Sequence, residues 1–183
     1  MTRRSEIVLP PYVRLSGEGI ELREWTEDDL SSLVELYDDP EIDRWTPVPS
    51  PFDAEAARAY LAKARAGRDE GRSTVQLAIT SDGKLPQGEV LLFRSALDGR
   101  ELELAYGVGR LHRRQGLAAR SVALVTEYAA HRLGARRVLL RIESENAPSV
   151  AVARAAGFRL TDDEPVAREA KGRQVLLHTW SYG

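Results

Sequence analysis

Hydrophobic and polar residues along this chain follow two rhythms, and the switches between them outline most of a fold. Residues 20–25, "IELREW", alternate apolar and polar, the period-two pattern of a half-buried strand. Thr26 follows and is placed to cap a helix, with Asp29 three positions on in an acidic first turn. Leu30, Leu33, Val34 and Tyr37 then recur at helical spacing. The next stretch, "DDPEIDRWTPVPSPF", holds four prolines and reads as a loop that ends this helix. Asp53 or Ser50 can cap a second, alanine-rich helix that stops between Gly67 and Gly71. "STVQLAIT", "GEVLLFRS" and "LELAYGV" read as three strands joined by the turns "SDGKLPQ" and "DGRE".

In the second half, "HRRQGLAARS" (residues 112–121) opens a long helix running to about residue 133. Its apolar face carries Leu117, Leu124, Val125, Tyr128 and Ala129, and Gly134 is placed to end it. "RRVLLRIE" is strongly β-prone. "NAPSVAVARAAGF" reads as a short helix with Pro148 in its first turn and Gly157 just past its end. "GFRLTDD" and "RQVLLHTWSY" close the chain as strands, with a polar connection between them. Residues 1–18 read as an irregular arm, because Pro10 and Pro11 favour extended backbone. Consecutive strands imply antiparallel pairing, and the later strand–helix–strand crossover implies a parallel pair. The expected fold is α/β of the α+β type. Its central sheet is mixed and mostly antiparallel, with about seven strands and helices on both faces, in one domain spanning residues 1–183.

Composition narrows the function. At 183 residues, 43% hydrophobic and 30% charged, the chain has the make-up of an ordinary globular domain. A formal charge of −2 argues against a general polyanion binder, so no nucleic-acid partner is expected. With no cysteine, disulfides, thiolate metal sites and cysteine nucleophiles are excluded. His112, His131 and His178 show no metal-ligand spacing, and no metal is expected. The basic start "MTRRSEIVL" is cut by the proline pair before an apolar region forms, and no apolar run approaches a membrane span. The expected setting is cytoplasmic, with no membrane partner. Oligomeric state stays open, a homodimer included.

Chemistry concentrates in "HRRQGLAARS". A strand-to-helix entrance leaves several backbone N–H groups without helical partners and carries partial positive charge. Gly116 removes the side chain that would hold a phosphate away, Ala118 and Ala119 keep the first turn slim, and Arg113 and Arg114 add charged donors. These are the features of a diphosphate seat. The alternative is plain packing of Gly-x-Ala behind surface arginines. The stretch is neither a P-loop nor a dinucleotide fingerprint.

Residues 103–160, "ELAYGVGRLHRRQGLAARS…SENAPSVAVARAAGFRL", resemble the core of the GCN5-related N-acetyltransferases, closest to the ribosomal-protein N-terminal acetyltransferase branch. The resemblance rests on R-x-x-G-x-A after a strand, then a strand, then Asn146 with Gly157-Phe158 eleven residues later. Weaker echoes occur in "ELREWTEDDL" and "DDPEIDRW". It implies acetyl-CoA as co-substrate and an amine as acceptor, either a peptide N-terminus or a small amine such as an aminoglycoside or polyamine. Arg113, Arg114, Gln115, Gly116, Leu117 and Ala118 would then cradle the diphosphate. Tyr106, Gly107 and Val108 would splay from the next strand and pair with the pantetheine arm, and Asn146 would bond that arm from the other side.

The resemblance also nominates catalytic residues. Glu103 aligns with the glutamate of the family's "ELGY" segment and sits in an apolar strand where burial would raise its pKa, as a base needs. The alternative for Glu103 is that it faces solvent or pairs with an arginine. Glu89 is the second candidate, and Glu101 is expected to be exposed beside a turn. Many family members carry a tyrosine seven residues after the asparagine, but here that position is Ala153. Ser149 matches the N-x-x-S version of the ribosomal-protein branch, as donor to the departing thiolate or as a helix-entry residue. Val108 would offer the oxyanion N–H. Gly107 replaces the branch's aromatic, which either enlarges the acceptor side or marks a bulge. Asp38, Asp39, Glu41 and Asp43, with Trp45 nearby, would rim the acceptor site in acid, although a solvated loop explains most of them; Trp25, Trp45 and Trp180 otherwise read as packing residues. The competing reading is an acyl-CoA-binding module without catalysis.

Overall fold

The computed structural model describes residues 6–71 and 73–183. The chain begins with strands β1 (Leu15–Gly17) and β2 (Ile20–Glu24), then helices α1 (Leu30–Tyr37), α2 (Pro40–Trp45) and α3 (Ala54–Asp69). Strands β3 (Thr74–Thr80), β4 (Gly88–Arg94) and β5 (Glu101–Val108) follow, then helix α4 (Leu117–Glu127), strand β6 (Arg137–Glu143) and helix α5 (Ala147–Ala155). Strands β7 (Arg159–Leu160), β8 (Val166–Ala170) and β9 (Arg173–Tyr182) complete it. These strands form one sheet in the order β1-β2-β3-β4-β5-β6-β9-β7, with β8 also paired to β9. Every pairing is antiparallel except β5 with β6.

Strand alternation divides the core between two faces. Leu77 and Ile79 of β3 join Leu92, Leu104 and Leu140 in a cluster covered by Leu117, Val122 and Val125 of α4 and Ala153 of α5. Ala78, between them, faces the other way into Trp25, Leu33, Tyr37, Ile42, Phe52, Ala57 and Leu61, the cluster under α1–α3. The expected mixed sheet with helices on both faces is therefore present.

Three elements differ from the sequence expectation. The expected arm of residues 1–18 is shorter: Ile7, Leu9 and Val13 are buried and Leu15–Gly17 pairs with β2, while residues 1–5 lie outside the described part. The proline-rich loop contains α2, because Pro40 sits at a helix start, where a missing N–H costs nothing, and Asp39 caps it. The polar connection before β9 is β8, whose turn uses Lys171 and Gly172, both at positive φ. The sheet thus exceeds the expected seven strands by β1 and β8.

Caps otherwise fall where the sequence placed them. Asp53 Oδ1 accepts the Ala56 N–H at 2.9 Å, and Thr26 donates its N–H and hydroxyl to Asp29 Oδ2 at 2.8 and 3.0 Å. The long helix leaves α geometry at Tyr128, where a π turn bonds Leu133 N–H to Tyr128 O at 3.2 Å. Gly134 follows at φ +71. No helix among the described residues is long and apolar enough to cross a membrane.

Strands β4 and β5 approach closely. A β-carbon at Gly88 would stand 2.5 Å from the Gly107 carbonyl oxygen and 3.2 Å from Val108 Cα. Because backbone cannot yield as a side chain does, Gly88→Ala should destabilise the protein by about 1–3 kcal/mol in urea unfolding. A midpoint equal to the parent's would show that the strands separate freely.

Candidate active site

Parallel pairing of β5 with β6 runs from Glu101↔Arg137 to Leu104↔Leu140 and stops. Beyond it β5 stays with β4, as far as Gly88↔Val108, while β6 stays with β9. The strands therefore part, and residues 105–108 keep an edge that no strand occupies. Gly109 N–H bonds Gln87 O at 2.8 Å on the β4 side, so alternation turns the Val108 N–H toward the open side. Tyr106 crosses the base of the opening, its hydroxyl 3.5 Å from the Ser149 carbonyl oxygen. Burial pushes its phenol up to about 12, against a smaller opposing effect from that bond.

The chain then turns through residues 109–116. Arg114 and Gly116 both adopt left-handed backbone, φ +61 and +72, and Gly116 caps α4 without a side chain. Alternating backbone of this kind gathers N–H groups into an anion-binding concavity. The first α4 N–H to find a carbonyl is that of Arg120, 3.1 Å from Gly116 O. Those of Leu117 and Ala118 point out of the helix start. Arg120, which the sequence did not single out, braces the turn. Its guanidinium donates to Gln115 O at 3.0 Å, Gly116 O at 3.3 Å and Glu18 O at 3.0 Å. Arg114 and Gln115 are exposed. Arg113 turns inward, with Nε 3.0 Å from Val108 O and Nη2 2.9 Å from Asp39 Oδ1.

Asn146 caps α5, its Oδ1 accepting the Ser149 N–H at 3.2 Å, which leaves its amide N–H₂ free to donate outward. Ser149 is half-buried at this helix entrance, across from Tyr106. Ala153 is fully buried in the α4–α5 core, so a tyrosine there would need a different packing.

On the opposite face the glutamates separate by environment. Glu103 is buried, but its carboxylate faces Arg141 Nε at 3.5 Å and Arg168 Nη2 at 3.3 Å. It has the arginine pairing rather than the apolar surroundings expected of it. Glu101, expected at the surface, is 2% exposed and pairs with Arg136 and Arg137. Glu89 is fully buried, with no ion pair among the described residues. Its Oε1 accepts the hydroxyls of Tyr37 and Tyr60, and its Oε2 has no partner. Burial raises its carboxyl to about 7, offset in part by Tyr37, Tyr60 and the neighbouring Trp25 indole. The tyrosines are pushed up in turn, Tyr37 well above its ordinary value, by burial and by the carboxylate.

Gly107 lies directly opposite Glu89 in an unbroken β4–β5 register, so it marks no bulge. Nor is the space empty, because a β-carbon there would stand 3.1 Å from Ile42 Cδ1 of α2. The acidic rim is partly neutralised. Asp39 is 7% exposed and bound to Arg113, and Asp43 pairs with Lys171 at the β8–β9 turn, while Asp38 and Glu41 stay exposed.

A sequence model of the acetyltransferase (GNAT) domain matches residues 20–159. The chain belongs to the GNAT acetyltransferases. This acetyltransferase is 24% identical over 171 residues to the "Uncharacterized N-acetyltransferase p20" of Bacillus licheniformis, covering 91% of this chain and 94% of that one. The ribosomal-protein-S5-alanine acetyltransferase of Vibrio fischeri superposes with a TM-score of 0.75 at 14% identity, over 93% of this chain and 96% of that one. Mycobacterium smegmatis RimJ, solved with CoA-disulfide, does so with a TM-score of 0.72 at 21% identity, over 93% and 86%. The acetyltransferase is thus an acyltransferase by family, and these structures share its fold.

Folding raises the Glu89 carboxyl, so the folded state retains a proton that the unfolded chain releases above 4.5. The protonated carboxyl's contribution is complete below that value and is lost as pH rises through about 7. Glu89→Gln cannot ionise. It should match the parent's melting temperature near pH 4 and exceed it by several degrees at about pH 8. An equal difference at both pH values would place the ionisation elsewhere.

Proposed function

We propose that this acetyltransferase carries the acetyl group of acetyl-CoA directly to a primary amine while both are bound. The observation that carries the reading is the parting of β5 from β6 beside a left-handed turn rich in outward N–H groups. The residues present fit the coenzyme. Gly116 offers no β-carbon, Arg114, Gln115, Leu117 and Ala118 present backbone around it, and the open edge at Tyr106, Gly107 and Val108 accepts an amide-bearing arm as it would a strand. Asn146 holds the arm's other side through its free amide N–H₂.

Acetyl-CoA bound there supplies a thioester carbonyl open to an amine. Val108 N–H donates to that carbonyl oxygen as negative charge gathers on it. Glu89, raised by burial toward neutrality, takes the proton the amine must lose. Glu103, paired with Arg141 and Arg168, serves in the packing of that face. The Ser149 hydroxyl, at the α5 entrance, relays a proton from a water molecule to the departing sulfur, taking one proton as it gives one. With no cysteine in the chain, a thiol acyl-enzyme plays no part. The branch likeness and the S5-alanine acetyltransferase fold support a protein α-amino group as acceptor.

Thiol release from acetyl-CoA, assayed with peptides, aminoglycosides and polyamines, should appear with the peptides. Release with a small amine alone would move the acceptor class, and silence with all of them alongside tight coenzyme binding would leave a binding module. Gly116→Glu should abolish coenzyme binding in titration calorimetry, because a side chain in strained backbone would fill the seat and repel the diphosphate. Unchanged affinity would place the diphosphate elsewhere.

A further inference from the structure

Arg113 lies inside the turn assigned to the diphosphate, yet its guanidinium is already committed in two other directions. Nε holds Val108 O at 3.0 Å, on the open side of the parted strands, and Nη2 holds Asp39 Oδ1 at 2.9 Å. Asp39 lies 74 residues away in sequence and is 7% exposed. The same Oδ1 accepts the N–H groups of Glu41 at 3.0 Å and Ile42 at 3.2 Å, so this carboxylate is what starts α2. Burial alone would raise Asp39; Arg113 and these two N–H groups outweigh it and hold the carboxyl below its ordinary range. Ile42 then packs over Gly107, directly opposite Glu89, and Asp43 is gripped by Lys171. One side chain therefore connects the turn, the splayed strand and the helix packed on Gly107, the strand neighbour of Glu89.

A six-residue helix is too short to persist on its own hydrogen bonds, so α2 depends on these external holds. Its order should accordingly follow the order of the residue that anchors its cap. We infer that Arg113 is a positioning residue, not a phosphate ligand, which transmits occupancy of the diphosphate turn to α2 and so fixes the wall of the acceptor pocket when the coenzyme is bound. This rests on the reading of the turn as the coenzyme's seat. When the N–H groups of residues 114–118 close on a diphosphate, the backbone of Arg113 is held from one side. Its guanidinium then offers Asp39 a fixed partner, and α2 frays less.

The experiment is hydrogen exchange of the α2 amides, with and without coenzyme A, on the parent, Arg113→Ala and Asp39→Asn, paired with calorimetric affinities. Asp39→Asn keeps an oxygen to cap α2 and removes only the charge, so it reports even if Arg113→Ala fails to fold. In the parent, coenzyme A should slow exchange at Glu41, Ile42, Asp43 and Thr46 by at least about fivefold. In both variants coenzyme A should bind with affinity within about threefold of the parent's; that protection should vanish in Arg113→Ala, where the link is cut, and fall by at least about half in Asp39→Asn, where a neutral oxygen holds Arg113 more weakly. A loss of coenzyme affinity beyond about tenfold in Arg113→Ala would make Arg113 a phosphate ligand and overturn the proposal. Protection that survives in both variants, or that is absent from a parent that binds coenzyme, would also overturn it. A parent that binds no coenzyme A would instead remove the seat itself, a separate failure.

Discussion

The parting of one parallel strand pair governs everything else in this site. Among the described residues β5 and β6 are the only parallel neighbours in the sheet, and each has an antiparallel partner on its other side that it follows to the end. Parallel ladders are slightly weaker per residue, so divergence falls there and not at β4–β5. Past Leu104 the two strands lean toward different neighbours and leave a wedge between them. Gly88 and Gly107 let β4 and β5 stay in close contact at the place where β5 turns away. The chain leaves β5 into the left-handed turn within a few residues, so the open edge and the outward N–H groups at the start of α4 are neighbours by construction.

On the α1–α3 face, carboxylates in similar burial have been given opposite company. Glu103 meets Arg141 and Arg168, and Asp39 meets Arg113. The ion pairs fix these side chains in the packing, and the Arg113 contact helps hold the Asp39 carboxyl below its ordinary range. Glu89 meets two phenols and an indole instead, with no cation among its hydrogen-bonded partners. Hydroxyl donors can stabilise a carboxylate or yield to a protonated carboxyl, so this group stays able to exchange a proton near neutrality.

The sequence was most legible where a pattern is local. Alternation in "STVQLAIT" and "GEVLLFRS" located β3 and β4, and the spacing of small residues in "HRRQGLAARS" located the turn and its glycine cap. The elements it missed are ones that borrow their stability. β1 has three residues and exists because β2 offers an edge; α2 begins at a proline that reads as a breaker until Asp39 and Arg113 are seen to meet. Roles of charged residues were least legible. Glu89 and Glu103 look alike in sequence, each in an apolar strand, and only the approach of Arg168 from β8 and Tyr60 from α3 tells them apart. Arg120 gave no signal beyond its position, since its three acceptors are main-chain carbonyls.

The complete burial of Glu89 carries one more implication. A carboxylate near its titration midpoint, open to solvent beside a thioester, would activate water as readily as an amine and drain the acetyl donor by hydrolysis. Buried completely behind Tyr37 and Tyr60, the Glu89 carboxyl is separated from bulk water. On the proposal that Glu89 is the base, packing itself would conserve the acetyl donor, since the carboxyl would be reached only by an acceptor that opens its cover.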